Sequence, residues 1–171
     1  MRRAFIILLL LAPLEVYAQA PTYPLNEDVS TLDGIIKAYY EVVSAEAGEA
    51  RDWARDSSLH AVDARVVVTG KRVDGTPYAN ILTLAQYHAN SGDVAKQGFF
   101  EEEIHRETQR FGNIAHVWST YAWRRTVDGP VEGRGINSIQ LFHDGTRWWI
   151  NSWFFDSERE DTPIPQAYLP E

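Results

Sequence analysis

The 171-residue chain contains no cysteine, and this absence excludes several kinds of chemistry. Without a thiol the protein has no disulfide, no thiolate metal site, no cysteine nucleophile and no lipid-modified cysteine. Basic residues are also few, because 16 Lys and Arg stand against 24 Asp and Glu and give a formal net charge of −8. An acidic chain without a basic cluster is a poor partner for nucleic acids or anionic membrane surfaces, so we expect neither as a partner.

Long apolar runs are missing after residue 20, but the first 20 residues contain one. A basic pair at residues 2–3 precedes an apolar stretch at 4–14, and small residues stand before the expected cleavage point at Ala20. The stretch is broken by Pro13 and is shorter than the about 20 apolar residues of a membrane helix. This order predicts a secretory signal peptide over 1–20, cleaved after Ala20. The alternative is an uncleaved amphipathic anchor. The mature protein is expected to be secreted or periplasmic, with no membrane segment.

The hydrophobic pattern after residue 20 predicts helices first and strands later. Apolar residues at helical spacing predict a helix beginning near Thr31, and a second short helix is expected over 52–59. A strand over 63–69, a strand over 77–82 and a helix over 84–90 follow. Four long strands are then expected over 99–110, 114–126, 134–143 and 147–155. This order indicates one α+β domain over residues 21–156. The proline-containing residues 157–171 are predicted to form an extended C-terminal tail.

Several segments resemble motifs of the nuclear transport factor 2-like superfamily. Asp63–Val68 resembles its first-strand motif, Gly112–Val117 its turn and strand in the long hairpin, and Asp144–Ile150 its final hairpin. The longer segments Phe111–Tyr121 and Gly133–Ser138 resemble secreted members of the superfamily whose function is unassigned. The resemblance covers nearly the whole chain after residue 20.

This resemblance implies a cystatin-like cone, in which a curved, mostly antiparallel sheet wraps around N-terminal helices and encloses a pocket. The superfamily includes ketosteroid isomerase, scytalone dehydratase, the SnoaL-like polyketide cyclases and plain binding or dimerisation modules, so the fold does not decide the function. Ketosteroid isomerase has a catalytic Asp at the end of the first strand, where this chain has Val68. Ketosteroid isomerisation is therefore disfavoured.

Three assumed two-residue turns predict which strand residues share a face of the sheet. The turns are Gly112-Asn113, Asp128-Gly129 and Asp144-Gly145. They place Gln109 opposite His116 and Thr120 opposite Asn137, and the third turn places Leu141 opposite Trp148. One face then collects the candidate ligand-binding residues Glu103, His105, Gln109, His116, Trp118, Asn137 and Trp148. A few polar groups in an apolar setting predict a pocket for a small apolar or mixed-polarity ligand.

Within this predicted pocket His116 is the candidate catalytic residue. A histidine that titrates near neutral pH can act as acid or base, and Gln109 or Asn137 is expected to hold its tautomer. Tyr39 or Tyr40 on the covering helix is expected to add a hydrogen-bond donor to the ligand site. The alternative is that His116 is a core histidine whose ring is satisfied by a neighbour.

Metal and cofactor sites are not expected. Glu103, His105 and His116 resemble a two-histidine, one-carboxylate metal set, but the two histidines are several rungs apart in the predicted hairpin. No phosphate-binding glycine loop and no Gly-x-Ser-x-Gly motif occurs, which argues against nucleotide cofactors and serine hydrolase chemistry. The acidic run 101–103 is interpreted as a solvated strand edge. The remaining histidines, His60, His88 and His143, are interpreted as structural or exposed.

The opposite face of the sheet is predicted to carry Val117, Tyr121, Trp149 and Trp153. Exposed apolar patches mark partner surfaces, so this face predicts a homodimer interface around Trp149 and Trp153. The alternative is that the tail around Ile164–Leu169 covers the patch. For function, the sequence leaves two hypotheses, an exported small-molecule-binding protein and a cofactor-independent lyase or isomerase that uses the pocket histidine.

Overall fold

The computed structural model describes residues 21–92 and 96–171, and the predicted signal peptide lies outside them. The helices are α1 Asn26–Val29, α2 Leu32–Val43, α3 Trp53–Leu59 and α4 Leu84–Asn90, with a short 3-10 helix at Gln166–Tyr168. The strands are β1 His60–Lys71, β2 Pro77–Thr83, β3 Phe100–Phe111, β4 Ile114–Arg124, β5 Gly133–His143 and β6 Trp148–Ser157. Within the described residues, no helix has the length and apolar character needed to cross a bilayer.

All six strands form one sheet in the order β2-β1-β6-β5-β4-β3. The β1–β6 pairing is parallel and every other pairing is antiparallel. Together with the preceding helices this is a curved, mostly antiparallel sheet in an α+β arrangement, and the predicted fold class is confirmed. The parallel pairing was not predicted, because sequence patterns show that strands exist but do not show which distant strands meet.

Helix α2 defines the two faces of the sheet. The Thr31 side chain accepts a hydrogen bond from the Gly34 amide and caps the start of the helix. Its buried residues include Ile35, Ile36 and Tyr39, which pack into the hydrophobic core against the sheet. We call the sheet face that packs against α2 the inner face and the opposite one the outer face.

The first long hairpin has the predicted register, and the second is shifted by one residue. Gln109 lies opposite His116, as the Gly112-Asn113 turn predicts. Thr120 lies opposite Ile136 rather than Asn137, and Asn137 lies opposite Ser119. The physical reason is that β4 and β5 are joined by the whole segment 125–132 and not by a two-residue turn. Side chains alternate between the two faces along a strand, so a shift of one residue separates β4 and β5 residues that were predicted to share a face. The predicted pocket residues of β4 and of β5 therefore lie on opposite faces of the sheet.

Two irregularities in the ladders change further predicted positions. A register shift between Glu103 and His105 turns Glu103 toward the inner face and leaves His105 on the outer one. Between β5 and β6, Leu141 pairs with Ile150 rather than with Trp148, and a shift next to this pair places Trp153 opposite Ile139. The predicted outer position of Trp153 is wrong, since only 2% of this residue is exposed.

Trp153 lies at the centre of the core. Its ring makes edge contacts with Tyr39 and Tyr87, with centroid distances of 5.7 Å and 5.5 Å. The His60 ring lies 4.8 Å from it. Burial of so large a side chain among aromatic neighbours is a major contribution to the stability of the domain.

The C-terminal tail packs on the outer face. The Thr120 hydroxyl donates a 2.7 Å hydrogen bond to the Tyr168 carbonyl, and the Trp118 and Tyr168 rings lie 6.0 Å apart. Ile164 is 9% exposed. The tail therefore covers part of the outer face. Other apolar residues there remain exposed, among them Ile114 at 61% and Phe154 at 46%.

Candidate ligand-binding cavity

A cavity of about 430 Å³ lies between the inner face and helices α2, α3 and α4. Most of its lining is apolar or aromatic and comes from Tyr39, Val43, Trp53, Val68, Leu82, Tyr87, Phe99, Tyr121, Trp123 and Phe155. The polar residues that line it are Arg51, Asn80, Asn90, Ser91, Glu101, Asn137 and Ser157. A volume of this size with few polar groups is typical of small-molecule sites.

Glu101 and Asn137 form the polar end of this cavity. The Asn137 side-chain amide donates hydrogen bonds to Glu101 Oε1 at 3.3 Å and to Tyr40 Oη at 3.1 Å. Tyr40 Oη lies 2.6 Å from Ser119 Oγ, which itself donates to Glu103. Because the Ser119 proton is used on Glu103, the Tyr40 hydroxyl donates to Ser119 and accepts from Asn137. The orientation of Asn137 toward Glu101 is thus fixed by a continuous chain of hydrogen bonds.

The Glu101 carboxyl titrates near neutral pH. Burial raises its pKa to about 7, although the hydrogen bond from Asn137 acts in the opposite direction. Glu101 retains some accessible surface, in keeping with its place in the cavity wall. The interpretation of residues 101–103 as a solvated edge is therefore wrong for Glu101. Burial also raises the pKa of Tyr121 to about 12, so this phenol remains protonated at neutral pH.

Arg51 lines the cavity, takes no part in the hydrogen-bond chain and is only 8% exposed. Its Nε donates a 2.6 Å hydrogen bond to the Val43 carbonyl at the end of α2. Its Nη1 is buried without a hydrogen-bond partner among the described residues. The guanidinium carbon lies 5.9 Å from the Trp53 ring centre and 6.0 Å from that of Phe99. Burial lowers the pKa of Arg51.

Behind the cavity wall, a buried carboxylate links helices α3 and α4. Asp56, 2% exposed, is hydrogen-bonded to His88 Nε2, and its carbonyl lies 2.8 Å from His60 Nδ1. The Trp53 ring stacks on His88 at 4.2 Å. Burial lowers the pKa of His60. These histidines do not line the cavity but hold Tyr87 and Trp53 in its wall, as their interpretation as structural residues implies.

The predicted site residues on helix α2 and strand β5 meet at the cavity. Tyr39 and Asn137 line it, and Tyr40 lies behind Asn137 as its hydrogen-bond partner. Glu103 is on the same face but ends the hydrogen-bond chain, where it is ion-paired with Arg106. The structure therefore brings these four predicted residues together.

The other predicted residues lie apart from the cavity. His105, Gln109, His116 and Trp118 are on the outer face, because the β4–β5 register differs from the predicted one. His116 Nε2 is hydrogen-bonded to Ser138 Oγ at 3.0 Å, the kind of neighbour that the alternative interpretation expected.

Trp118 and Trp148 also lie outside the cavity between the inner face and the helices. Trp118 lines a second cavity of about 580 Å³ beneath the tail. Trp148 is on the inner face, but it packs on His143 and outside the cavity lining. Within 21–92 and 96–171 no three His, Asp or Glu side chains are grouped so as to hold a metal ion.

Sequence patterns missed the two charged residues of the cavity, Glu101 and Arg51. Glu101 lies two residues before Glu103 on the same strand, and a bulge after Glu103 turns Glu103 inward. The inward position of Glu101 was missed because bulges have no dependable sequence signature. Arg51 follows a glycine-containing loop, and nothing in its neighbourhood marked it as buried. Tyr87 lies on the helix predicted over 84–90, of which no residue was predicted to line the ligand site.

Comparison with known proteins identifies the fold. No protein-family model and no curated protein sequence matches the chain. Among solved structures it is similar to a protein of unknown function with a cystatin-like fold from Nostoc punctiforme, with TM-score 0.57, 14% identity, and coverage of 74% of this chain and 90% of that one. It is similar to an NTF-2-like protein of unknown function from Silicibacter pomeroyi, with TM-score 0.51, 17% identity, and coverage of 75% and 94%.

A third similar structure is LinA, with TM-score 0.55, 7% identity, and coverage of 83% of this chain and 92% of that one. Identities this low establish the fold and leave the activity open. The resemblance predicted from the sequence is confirmed, and the chain has the cystatin-like cone fold of the nuclear transport factor 2-like proteins.

Proposed function

We propose that this protein binds a small, largely apolar molecule in the cavity between the inner face and helices α2, α3 and α4. The observation that carries the proposal is the hydrogen-bonded pair Glu101 and Asn137 in a cavity wall that is otherwise mostly apolar or aromatic. Aromatic side chains provide apolar contact area, and a single oriented polar pair selects ligands that can hydrogen-bond to it. Val68, where ketosteroid isomerase has its Asp, adds to the apolar wall.

A second candidate function is a cofactor-independent lyase or isomerase. It is favoured by the pKa of about 7 of the Glu101 carboxyl, since a general acid or base works best when its pKa is near the operating pH. The sequence assigned this role to His116. That residue lies on the outer face, so in this candidate mechanism Glu101 replaces it as the group that moves a proton. Asn137 would orient the carboxyl, and no residue of the outer face takes part.

One experiment separates the two candidates. Mature protein is incubated with a panel of small aromatic and alicyclic compounds, separated from free compound, and analysed by native and denaturing mass spectrometry. We expect Val68→Phe to bind a retained compound at least about tenfold more weakly, because the added ring occupies the cavity. Val62→Phe, on the same strand but fully exposed, is the matched control and is expected to bind like the wild type.

The chemical state of the recovered compound decides between binding and catalysis. Recovery unchanged supports the binding protein. Recovery as a product from the wild type, but as starting material from Glu101→Gln, supports the lyase or isomerase, and His116→Ala is then expected to turn over like the wild type. Retention of no compound by the wild type, or equal retention by Val68→Phe, would contradict the proposed cavity function.

We further propose that the protein is exported and forms a homodimer through the uncovered part of the outer face. The support is the leader pattern at residues 1–20 and the exposed apolar residues Ile114 and Phe154. Trp149 remains a candidate for this interface, whereas Trp153 is buried in the core.

We expect exported protein to begin at Pro21 by intact mass. We expect light scattering to give twice the chain mass, and Phe154→Glu to give the single mass. A wild-type monomer at micromolar concentration would refute the dimer.

A further inference from the structure

Arg51 is the one arginine in the cavity lining of the described residues, and it lacks an acidic partner there. Two other partly buried arginines are ion-paired: Arg55 with Asp28 and Glu41, and Arg106 with Glu103 and Asp33. Arg51 is more buried than a surface arginine, and its one hydrogen bond is the neutral one from Nε to the Val43 carbonyl. A buried charge without an opposite charge is strongly unfavourable, so an unpaired guanidinium in a cavity wall needs an explanation.

The surroundings of Arg51 suit an anionic group. The rings of Trp53 and Phe99 lie near its guanidinium carbon and stabilise the cation partly, but they accept none of its N–H groups. Nη1 remains without a partner among the described residues. A guanidinium with free N–H groups between aromatic walls matches the planar fork of a carboxylate or the oxygens of a sulfonate.

The carboxylate of the same cavity does not neutralise Arg51. Glu101 accepts its hydrogen bond from Asn137, and no ion pair joins it to Arg51 in the described part of the chain. Burial raises the pKa of Glu101, and no neighbouring cation opposes this rise. The cavity lining thus contains two ionisable residues that are not ion-paired with each other, a carboxyl that can be neutral near pH 7 and a guanidinium that stays charged.

We propose that the ligand of this cavity is an amphiphilic anion, an aromatic or alicyclic body with an oxyanion group that pairs with Arg51. This inference rests on the proposed binding function and narrows its ligand class. The apolar body contacts the aromatic wall, and the oxyanion accepts charge-assisted hydrogen bonds from the guanidinium. The purely structural alternative is that Arg51 only closes the end of α2 through Val43, a role that needs Nε but no ligand charge.

Two fluorescent probes with the same aromatic body test this proposal. They are 1-anilinonaphthalene-8-sulfonate and its uncharged counterpart N-phenyl-1-naphthylamine, titrated into mature protein at pH 6, below the pKa of about 7 of Glu101. We expect the wild type to bind the sulfonate about tenfold more tightly than the neutral amine. Arg51→Gln should remove this preference and change binding of the amine by less than about twofold. Arg51→Lys should keep part of the preference for the sulfonate, because the positive charge remains but the planar guanidinium is lost.

Two variants serve as controls. Arg72→Gln, at an exposed arginine, is expected to leave both affinities unchanged, and Val68→Phe is expected to weaken both. Equal wild-type affinity for the two probes overturns the oxyanion inference and leaves the binding cavity intact. Failure of both probes to bind, or binding that Val68→Phe does not weaken, counts against the cavity function itself. The wild-type comparison needs no variant to fold, so it can overturn the oxyanion inference by itself.

Discussion

Replacing Trp153 with alanine is expected to lower the free energy of unfolding by about 3–5 kcal/mol. The indole is 2% exposed and packs against Tyr39, Tyr87 and His60, so its removal leaves a large hole at the centre of the core. The loss should appear as a lower midpoint in urea denaturation with an unchanged slope. At the upper end of this range the variant would lose much of the stability of an ordinary domain.

Trp149→Ala is the matched control for this prediction. Trp149 is a half-buried neighbour on the same strand, held by a hydrogen bond to Asp144 and by stacking with Arg147 and Phe142. We expect its removal to cost about 1 kcal/mol or less, since contacts at the surface contribute little. Similar small losses for both tryptophans would contradict the β5–β6 register and would favour the outer position that the turn assumption predicts for Trp153.

Replacing Glu101 with glutamine is expected to stabilise the protein by about 3.5 kcal/mol at pH 8 and to change stability little at pH 4.5. Burial raises the folded-state pKa of Glu101 to about 7, against the ordinary value of 4.5 for a glutamate side chain. Between these pH values the folded protein binds the proton more tightly than the unfolded chain does. The wild type therefore loses stability from this group as pH rises from 4.5 through 7, by about 1.4 kcal/mol per unit of pKa difference.

Urea denaturation of both proteins from pH 4.5 to pH 8 measures this difference. His60 changes stability with pH in the opposite direction, because burial lowers its pKa and so costs stability at pH values below the unfolded pKa. This effect is the same in both proteins and cancels in their difference. Glu102→Gln is the matched control, because Glu102 is exposed and paired with Arg124 on the edge of the sheet. A pH-independent difference between Glu101→Gln and the wild type would show that Glu101 is solvated in the folded protein.

The sequence predicted the elements and the fold because those depend on local patterns. The helical spacing of α2, which begins at Leu32 beside the predicted start at Thr31, and the β-branched strand β1 are short-range signals, and both are present in the structure. The Gly112-Asn113 turn also gave the correct register for β3 and β4, since Gly112 has the positive φ of 53° that such a turn requires. Two of the predicted ligand-binding residues, Tyr39 and Asn137, line the cavity.

The face of each strand was harder to predict, because it depends on counting residues through turns and bulges. The segment 125–132 does not form the predicted two-residue turn at Asp128-Gly129, so the β4–β5 register differs from the predicted one by one residue. As a result His116 and Trp118 lie on the outer face. Register shifts in the β3–β4 and β5–β6 ladders also place Glu103 on a different face from His105 and Trp153 on a face other than the predicted one. A pattern of period two keeps all its residues on one face only while the register is unbroken.

The parallel pairing of β1 with β6 has a consequence for the time at which the domain folds. Val66 near the start of the sheet pairs with Trp153 near its end, so the middle of the sheet cannot form until nearly the whole chain is available. The chain must lose the entropy of closing the loop between β1 and β6 before it gains any free energy from their pairing. We therefore expect this pairing to form more slowly than the local hairpins. A chain whose sheet needs its last strand therefore stays incompletely folded until that strand has been synthesised.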